Sequence, residues 1–279
     1  NMIDNIDNIF NLNKRVVVIT GAAGLLGRNH AKAVAAFNGI PVLIDINEKG
    51  LQDLSDVLNN DFSCKADYYT LDITDEGALI NCCKEISKKH NKIDGLVLNA
   101  ANNPKVEELS EKNFSRLENF PLEDWLQDIK VGLTGSFLCA KHFGKQISLN
   151  PKGGSIVIIS SDLGLIAPDQ SLYKKEGLEE DLQNVKPVSY SVVKTGVIGL
   201  MRYISSYWSD RNIRCNAICP GGVKNNQPED FLNEIATRIP LGRMANQNEY
   251  QGVLIWMLSD ASSYLNGAVI PVDGGRSAI

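Results

Sequence analysis

The regular alternation of short apolar runs with amphipathic stretches is the feature that most constrains the fold of this 279-residue chain. The apolar runs predict strands at residues 16–20, 41–45, 65–71, 95–99, 155–160, 213–218 and 268–272. Several are apolar on both faces, which is typical of strands that helices cover on each side. Helical patterns lie between them, at residues 25–38, 50–59, 75–89, 122–146, 189–209 and 247–259. This alternation predicts an α/β fold, in which a doubly wound parallel sheet of about seven strands has helices on both faces.

No internal repeat, low-complexity stretch or linker interrupts the pattern. We therefore expect a single domain over residues 1–279, with an N-terminal extension at 1–13. Two segments break the alternation: a polar one at 102–120 and a long charged insertion at 164–187. Both follow a predicted strand. Because ligands bind beyond the carboxyl ends of the strands in such sheets, both segments are candidate walls of a site.

Composition narrows the class of partner. The net charge of −5 and the pI near 5.3 argue against a nucleic acid or an anionic membrane, since both reward concentrated Lys and Arg. No apolar run approaches the roughly 20 residues of a membrane-spanning helix, and the N-terminal stretch lacks the pattern of a signal peptide. The six cysteines form no C-x-x-C pair and the three histidines lie far apart. We expect a cytoplasmic protein with reduced thiols, no metal site and a small-molecule ligand.

A glycine-rich turn follows the first predicted strand, in the stretch VVVITGAAGLLGRNHAKAV. Gly21, Gly24 and Gly27 are spaced three apart and precede a helical pattern, so that bare backbone N–H groups lie at a helix N-terminus, where pyrophosphate binds well. Gly21 would allow the tight turn, Gly24 the close approach of a phosphate and Gly27 close packing of helix on strand. The spacing differs from the G-x-G-x-x-G of the best-known dinucleotide loop. The turn alone could therefore be a mere strand-to-helix connection.

Asp45 favours the interpretation of the glycine turn as part of a nucleotide-binding site. It ends the second predicted strand, about 20 residues downstream of the glycines, where an acid accepts hydrogen bonds from an adenosine ribose. A carboxylate there repels the 2′-phosphate of NADP. Neither Ala23 nor Ile46 supplies a compensating cation, although Arg28 is close in sequence. The sequence therefore favours NAD over NADP.

A second constellation is YSVVK, from Tyr190 to Lys194. The spacing arises often by chance, but on a helix positions i and i+4 share a face, so the ammonium can lie beside the phenol. A nearby positive charge lowers the pKa of a tyrosine and makes it a usable general acid or base. Upstream, another predicted strand ends in Ser160 and Ser161, at the same end of the sheet as the glycine turn. A hydroxyl there could hold a substrate carbonyl while hydride arrives from a nicotinamide.

With these motifs in order, the sequence resembles the short-chain dehydrogenase/reductase family over nearly its whole length. TGAAGLLG, LDITD, LVLNAAN, ISSD, YSVVK, IRCNAICPGG and GAVIPVDGG follow one another as in the family. The resemblance implies one Rossmann-like domain, a Ser–Tyr–Lys site and usually a homodimer or homotetramer. It implies that Ser161 polarises the substrate carbonyl or hydroxyl, that Tyr190 transfers the proton, and that Lys194 lowers the pKa of Tyr190 and holds the nicotinamide ribose. The cofactor-binding residues we expect are Gly21, Ala23, Gly24, Leu25, Leu26, Gly27, Asp45, Ile46, Asp72, Ile73, Asn99, Ala100, Ala101, Tyr190, Lys194, Pro220, Gly221 and Val223.

Three departures mark an atypical member. VGLTGSFL places Gly132 where the family usually has an asparagine that continues the proton relay through water to the lysine. The glycine spacing of the turn is typical of the family's extended branch, which modifies nucleotide sugars, whereas VDGG near the C-terminus is typical of the compact branch. Ser161 and Tyr190 are 29 positions apart because of the insertion. The insertion and GGVKNNQPEDF resemble a bacterial subgroup found with surface-sugar and flagellin-glycan biosynthesis.

These observations predict an NAD(P)-dependent oxidoreductase that interconverts a secondary alcohol and a ketone, on a polar or sugar-derived substrate. Two alternatives stay open at this point. The glycine spacing also suits an epimerase or dehydratase that holds NAD tightly. Gly132 also suits a catalytically weak NAD-binding regulatory protein.

Overall fold

A computed structural model describes residues 6–102 and 113–279 of the chain. Residues 1–5 of the expected extension and 103–112 of the polar segment lie outside the described residues. The strands are β1 (Val16–Thr20), β2 (Ile40–Asp45), β3 (Asp67–Thr70), β4 (Gly95–Leu98), β5 (Gly154–Ile159), β6 (Ile213–Pro220) and β7 (Val269–Val272). They form one parallel sheet in the order β3-β2-β1-β4-β5-β6-β7. The predicted doubly wound parallel sheet is confirmed.

The helices lie on both faces of the sheet. They are α1 (Leu25–Ala36), α2 (Glu48–Phe62), α3 (Glu76–His90), α4 (Leu122–Ile129), α5 (Gly135–Ile147), α6 (Val188–Tyr207), α7 (Glu229–Ala236) and α8 (Gln251–Leu258). Side-chain caps fix two of the starts, since Asn47 accepts from the Gly50 N–H at 2.9 Å and Asp75 from the Ala78 N–H at 3.0 Å. None of the described helices is both long enough and apolar enough to span a membrane.

Two helical regions differ from the prediction. The helix expected at 122–146 is divided into α4 and α5 by a π-helical turn, Lys130–Thr134. The sequence pattern does not indicate the π-helical turn, because an extra residue in one turn leaves the apolar periodicity almost unchanged on either side. The short helix α7 was not predicted. It has eight residues, too few for a clear period.

Alternation along the strands divides the interior into two large cores. In β1, Val16 and Val18 face the side covered by α3, α5 and α6, whereas Val17 and Ile19 face the side covered by α1, α2 and α8. Successive side chains of a strand point to opposite faces, so a strand that is apolar throughout supplies both cores at once. All five β1 residues are buried. This accounts for the continuous apolar runs of the sequence.

A third, smaller apolar cluster lies apart from the sheet, and we call it the outer cluster. It joins the insertion, through Leu172, to α7 and the chain that follows, through Ile235, Ile239 and Met244. The insertion is further tied to this region by an ion pair of 2.5 Å between Asp169 and the Arg238 Nε. The insertion is therefore packed against the rest of the protein at Leu172 and Asp169, whereas its residues 174–177 and 179–181 are exposed to solvent.

The order of the strands fixes where a ligand can bind. The chain leaves β1 towards β2 on one side, and β4 lies on the other side of β1, so the crossovers diverge at this point. Such a switch point leaves a crevice beyond the carboxyl ends of the strands. The segments that follow β1, β2, β4, β5 and β6 all meet at this edge.

Candidate active site

The glycine turn after β1 is shaped by contacts that exclude side chains. Gly21 has φ +64°, and a Cβ there would lie 2.8 Å from the Ala100 Cα. A Cβ on Gly27 would lie 2.1 Å from the Gly21 carbonyl oxygen. The Asn99 amide after β4 donates to the carbonyls of Thr20 and Gly21, at 3.2 and 3.1 Å. The turn is thus held open with its backbone N–H groups at the start of α1, a cradle that suits a pyrophosphate.

Asp45 lies next to this turn at the end of β2. One oxygen of its carboxylate accepts from the Ala23 N–H and the other from the Asn47 N–H, each at 3.0 Å. Arg28 turns its guanidinium to backbone carbonyls, with Nε 2.8 Å from the oxygen of Ala23 and Nη2 3.3 Å from that of Gly50. The carboxylate is thereby fixed in orientation at the rim of the crevice, where a ribose would be recognised.

A continuous cavity of about 640 Å³ runs along this edge of the sheet, within the size range of small-molecule sites. Every predicted site residue lines it except Ala23 and Gly27. Those two contribute through their backbone: the Ala23 N–H donates to the Asp45 carboxylate, and Gly27 packs closely against the backbone of the turn. The cavity connects the glycine turn with the predicted Ser–Tyr–Lys group, so the residues singled out from distant motifs are brought to one place.

The two serines after β5 have different partners. The Ser160 hydroxyl donates to the Lys194 carbonyl oxygen at 2.6 Å and so ties β5 to α6. The Ser161 hydroxyl is buried, donates to Asp162 Oδ1 at 2.8 Å and accepts from the Leu163 N–H at 3.2 Å. Ser161 also lies within hydrogen-bonding reach of Tyr190 and lowers the pKa of that phenol. Of the two serines, Ser161 is the one placed beside the tyrosine.

Tyr190 and Lys194 lie one turn apart on α6. The Lys194 ammonium is buried, donates to the Ile159 carbonyl oxygen at 3.1 Å and lies 5.8 Å from the centroid of the Tyr190 ring. Burial, together with the positive charge of Lys186, lowers the pKa of Lys194 to about 8. Burial is also the largest effect on Tyr190, and its pKa is raised although the nearby Ser161 hydroxyl acts in the opposite direction. The expected lowering of the Tyr190 pKa by Lys194 is therefore not met in this structure, because desolvation outweighs the help that the phenolate receives.

Four further residues line the cavity beside Ser161 and Tyr190, and the sequence assigned none of them an individual role: Asp162, Tyr173, Lys186 and Arg276. Asp162 and Arg276 are both buried and form an ion pair of 2.9 Å. The Lys186 Nζ lies 3.9 Å above the centroid of the Tyr190 ring. Its place four residues before Tyr190 was the signal available in the sequence. Tyr173 and Arg276 gave no such signal, since the fold alone brings the insertion and the C-terminal segment to this point.

Comparison with known proteins identifies the family to which the chain belongs. A family model described as "Enoyl-(Acyl carrier protein) reductase" matches residues 21–277. The chain belongs to the short-chain dehydrogenase/reductase family. Like its relatives in that family, it is an oxidoreductase that acts on a CH–OH group with a nicotinamide cofactor.

Relatives of this dehydrogenase/reductase cover nearly its whole length. The cis-4-hydroxycyclohexanecarboxylate dehydrogenase of Sinomonas cyclohexanicum is 30% identical over 270 residues, which are 95% of this chain and 98% of the relative. The post-translational flagellin modification protein A of Campylobacter coli is 27% identical over 266 residues, with 95% and 98% covered. Among solved structures, an NAD⁺-bound xylitol dehydrogenase superposes with a TM-score of 0.81 at 24% identity, with 95% and 99% covered. This last similarity confirms the fold.

Gly132, where the family usually has its relay asparagine, lies in the π-helical turn between α4 and α5. It is buried, and a Cβ there would lie 2.4 Å from Cγ1 of Val193, which is the neighbour of Lys194 on α6. Val193 is itself buried and branched at Cβ, so it has little freedom to give way. The helices have approached to a distance that a side chain at this position would prevent. Gly132 is thus part of how α4, α5 and α6 pack, and a simple exchange for asparagine has no room.

Proposed function

We propose that this enzyme interconverts a secondary alcohol and a ketone with NAD, using Tyr190 as the general acid or base. The observation that carries the proposal is a single cavity with the glycine turn and Asp45 at one end and Ser161, Tyr190 and Lys194 at the other. A dinucleotide laid along the edge of the sheet from the first group would reach the second with its nicotinamide.

The chemistry divides between the cofactor and the chain. The residues that line the cavity would hold a nicotinamide cofactor, which would supply hydride transfer from the alcohol carbon and back to the ketone. In the oxidative direction the Tyr190 phenolate takes the hydroxyl proton, and in the reductive direction the phenol gives it back. Ser161 donates a hydrogen bond to the substrate oxygen, for which its hydroxyl has to turn from Asp162. Lys194 supplies positive charge near the phenolate and donors for the ribose.

Burial raises the pKa of Tyr190, so the phenolate needs positive charge close by. Two ammonium groups are available, those of Lys186 and Lys194, at 3.9 and 5.8 Å from the ring centroid. The oxidation rate should therefore rise with pH up to about 8, where Lys186 and Lys194 still keep their protons, and the reductive rate should fall over the same range.

Replacing Tyr190 by phenylalanine tests the assignment. Removing a positioned general acid or base costs about 10²- to 10⁴-fold in rate. We expect a loss of that size in kcat with NADH affinity within about twofold of the wild type. Tyr264→Phe, at a fully exposed tyrosine far from the cavity, is the matched control. Full activity of Tyr190→Phe would refute the mechanism.

The same reasoning supports NAD as the cofactor. Asp45 is held by two backbone N–H groups at the rim, and Arg28 is engaged with backbone carbonyls. A 2′-phosphate would meet a fixed carboxylate. We expect Asp45→Ala to lower the ratio of NAD to NADP affinity at least tenfold, whereas Asp61→Ala, at the exposed end of α2, should leave that ratio unchanged. An unaltered ratio in Asp45→Ala would contradict the assignment.

For the substrate we propose a polar or sugar-derived secondary alcohol. The relatives' names include a hydroxycyclohexanecarboxylate dehydrogenase and a D-threitol dehydrogenase, which support a hydroxylated carbon skeleton. A screen of polyols, sugar acids and hydroxycyclohexanecarboxylates with NAD and NADP tests this.

We also propose a cytoplasmic homodimer or homotetramer. Self-association is supported by exposed apolar side chains on α4, α5 and α6, namely Leu122, Leu126, Phe137, Val192 and Tyr203. Light scattering tests it by measuring the mass of the protein in solution.

The same assays separate the two alternative functions. An epimerase or dehydratase that retains its NAD would form product with no net change in nicotinamide absorbance. A regulatory protein would bind NADH in calorimetry and turn over none of the panel. Stoichiometric formation of NADH with ketone supports the dehydrogenase and excludes both.

A further inference from the structure

The serine hydroxyl that the proposed reaction uses already donates to another group in this structure. Ser161 Oγ donates to Asp162 Oδ1 at 2.8 Å and accepts from the Leu163 N–H at 3.2 Å. Ser161 and Asp162 are both buried, and both line the cavity. Because a hydroxyl has one proton to donate, Ser161 can donate to a substrate oxygen only after it has left the carboxylate.

The carboxylate of Asp162 has partners on both of its oxygens. Oδ1 accepts from the Leu163 N–H at 2.8 Å as well as from Ser161, and Oδ2 accepts from Nη1 of Arg276 at 2.9 Å. Asp162 and Arg276 are 3% and 8% exposed, so water and salt screen this ion pair little. The carboxylate cannot rotate away from Ser161 without breaking a buried contact.

Arg276 reaches this carboxylate because the segment after β7 turns back over the cavity. Gly274 and Gly275 have φ angles of +69° and +90°, which favour glycine. The two oxygens of Asp273 accept from the N–H groups of Gly275 and Ser277, each at 2.9 Å. The backbone is therefore fixed on both sides of Arg276, and its guanidinium is held beside the cavity.

The charge of Arg276 affects how firmly Asp162 holds the serine. A hydrogen bond to an ionised acceptor is roughly twice as strong as one between neutral groups. With Arg276 in place, the buried carboxylate keeps its ion pair when the Ser161 hydroxyl turns to the substrate. Without that ion pair, the described partners of the carboxylate are the Ser161 hydroxyl and the Leu163 N–H. Releasing Ser161 would then leave a buried charge poorly compensated, which is costly.

The two forms of the substrate differ in what they need from Ser161. A ketone oxygen carries no proton and can only accept a hydrogen bond, and the same holds for the oxygen that gains negative charge in the transition state. An alcohol hydroxyl carries its own proton and can be bound through it while the bond from Ser161 to Asp162 stays intact. Release of Ser161 is therefore needed for the ketone and for the transition state, but not for the alcohol.

We propose that Asp162 and Arg276 are a positioning pair for Ser161. Asp162 orients the hydroxyl in the free enzyme, and the charge of Arg276 permits its release to the ketone oxygen. Both residues act through Ser161. This inference rests on the proposed function and adds to it what controls the hydrogen bond from Ser161 to the substrate.

Steady-state kinetics of Arg276→Met test the pair. The probes are cis-4-hydroxycyclohexanecarboxylate with 4-oxocyclohexanecarboxylate, and D-threitol with erythrulose, since the two alcohols occur in relatives' names. If neither alcohol is oxidised, the alcohol of the screen with the highest kcat/KM and its ketone replace them. Losing one donor to a developing oxyanion costs about 10²- to 10³-fold in rate, and because Ser161 is still present we expect a smaller loss of about tenfold in kcat/KM.

The loss should be divided unequally between kcat and KM. The ketone complex and the transition state are weakened together, whereas the alcohol complex is not. With chemistry rate-limiting, oxidation should therefore lose kcat at an unchanged KM, and reduction should gain in KM at an unchanged kcat. A general disturbance of the site would weaken alcohol and ketone alike, and that result would overturn the inference.

Calorimetry measures the same difference without turnover. On the enzyme saturated with NAD, the ketone should bind about tenfold more weakly to Arg276→Met than to the wild type. On the enzyme saturated with NADH, the affinity for the alcohol should stay within about twofold, as should the affinity for NADH itself. If Arg276→Met does not fold, Arg276→Gln takes its place with the same expectation, because its amide can donate to Asp162 without charge.

Three matched variants test the route through Asp162 to Ser161. Asp162→Asn/Arg276→Met leaves neither charge of the pair and should recover most of the lost ketone affinity. In the Ser161→Ala background, adding Arg276→Met should cause little further loss, because the group through which it acts is absent. Arg211→Met breaks an exposed ion pair with Asp210, just before β6 at the opposite edge of the sheet, and should change nothing. No recovery in the first variant, or a full additional loss in the second, would contradict the proposal.

These outcomes separate the inference from the function on which it rests. An enzyme that loses activity in Ser161→Ala but keeps its ketone affinity in Arg276→Met retains the proposed function and loses the inference. An enzyme that oxidises neither probe alcohol nor any other alcohol of the screen loses the proposed function, and the inference with it.

Discussion

Replacing His30 by leucine is expected to make the protein less sensitive to acid. His30 lies on α1 and is 1% exposed, and neither ring nitrogen has a hydrogen-bond partner among the residues that the structure describes. Because nothing compensates the imidazolium for the loss of water, burial lowers the pKa of His30 from 6.5 to about 4. The native protein therefore holds this side chain neutral at pH values where an exposed histidine is charged.

The sign of the effect follows from which state binds the proton. Between pH 6.5 and about 4 the unfolded chain protonates His30 and the native chain does not. The contribution of neutral His30 to the free energy of unfolding is therefore fully present above pH 6.5, and it declines as the pH falls through this window. One pKa unit corresponds to about 1.4 kcal/mol, so the whole shift amounts to roughly 3 kcal/mol. At a pH of about 5, about 2 kcal/mol of this has been lost relative to a pH of about 8.

Urea unfolding at these two pH values measures the loss. The comparison is the change in the free energy of unfolding of the wild type minus that of His30→Leu, so that the contributions of other ionisable groups cancel. Leucine fills much of the same apolar space and does not titrate. We expect the wild type to lose about 2 kcal/mol more than the variant on acidification. An equal loss in both proteins would refute the reasoning.

Two further predictions concern glycines that pack without a side chain. Gly132→Ala should lower the free energy of unfolding by about 1–2 kcal/mol, since overpacking outweighs the gain in helix propensity. In the background of Val193→Ala this cost should shrink by about 1 kcal/mol or more in a double-mutant cycle, and additive costs would contradict the contact. Gly27→Ala places a Cβ 2.1 Å from the Gly21 carbonyl oxygen, so it should cost more than about 3 kcal/mol and abolish NADH binding in calorimetry. Gly252→Ala on α8, with no atom within 4 Å of its Cβ, should be neutral or stabilising; a Gly27→Ala variant that behaves like it would be inconsistent with the packed turn.

The cofactor half of the site could be predicted because its information is local. A strand, three glycines and a helix are consecutive, and Asp45 follows at the end of the next strand, so the β1–α1–β2 unit alone brings these groups together. The same holds for Tyr190 and Lys194, whose relation is one helical turn. Ser161 needed only the parallel sheet, which orients all strand ends alike.

The substrate half could not be predicted because its partners are far apart in sequence. Arg276 meets Asp162 across 114 residues, and Tyr173 of the insertion lies against Phe231 of α7, which is 58 residues further along the chain. No periodicity encodes such contacts. The pKa of Tyr190 was misjudged for a related reason: a charge four residues away is visible in the sequence, whereas the depth at which both groups are buried is not.

The outer cluster has a consequence for how such an enzyme can change over time. Ile235 and Met244, which line the cavity, belong to a small core of their own, which is separate from the two that stabilise the sheet. Substitutions in the outer cluster should therefore lower the stability of this local unit, while the packing around the glycine turn is unchanged. New substrates can be reached by exchanging side chains of the insertion and α7, with little risk to the fold that holds the nucleotide.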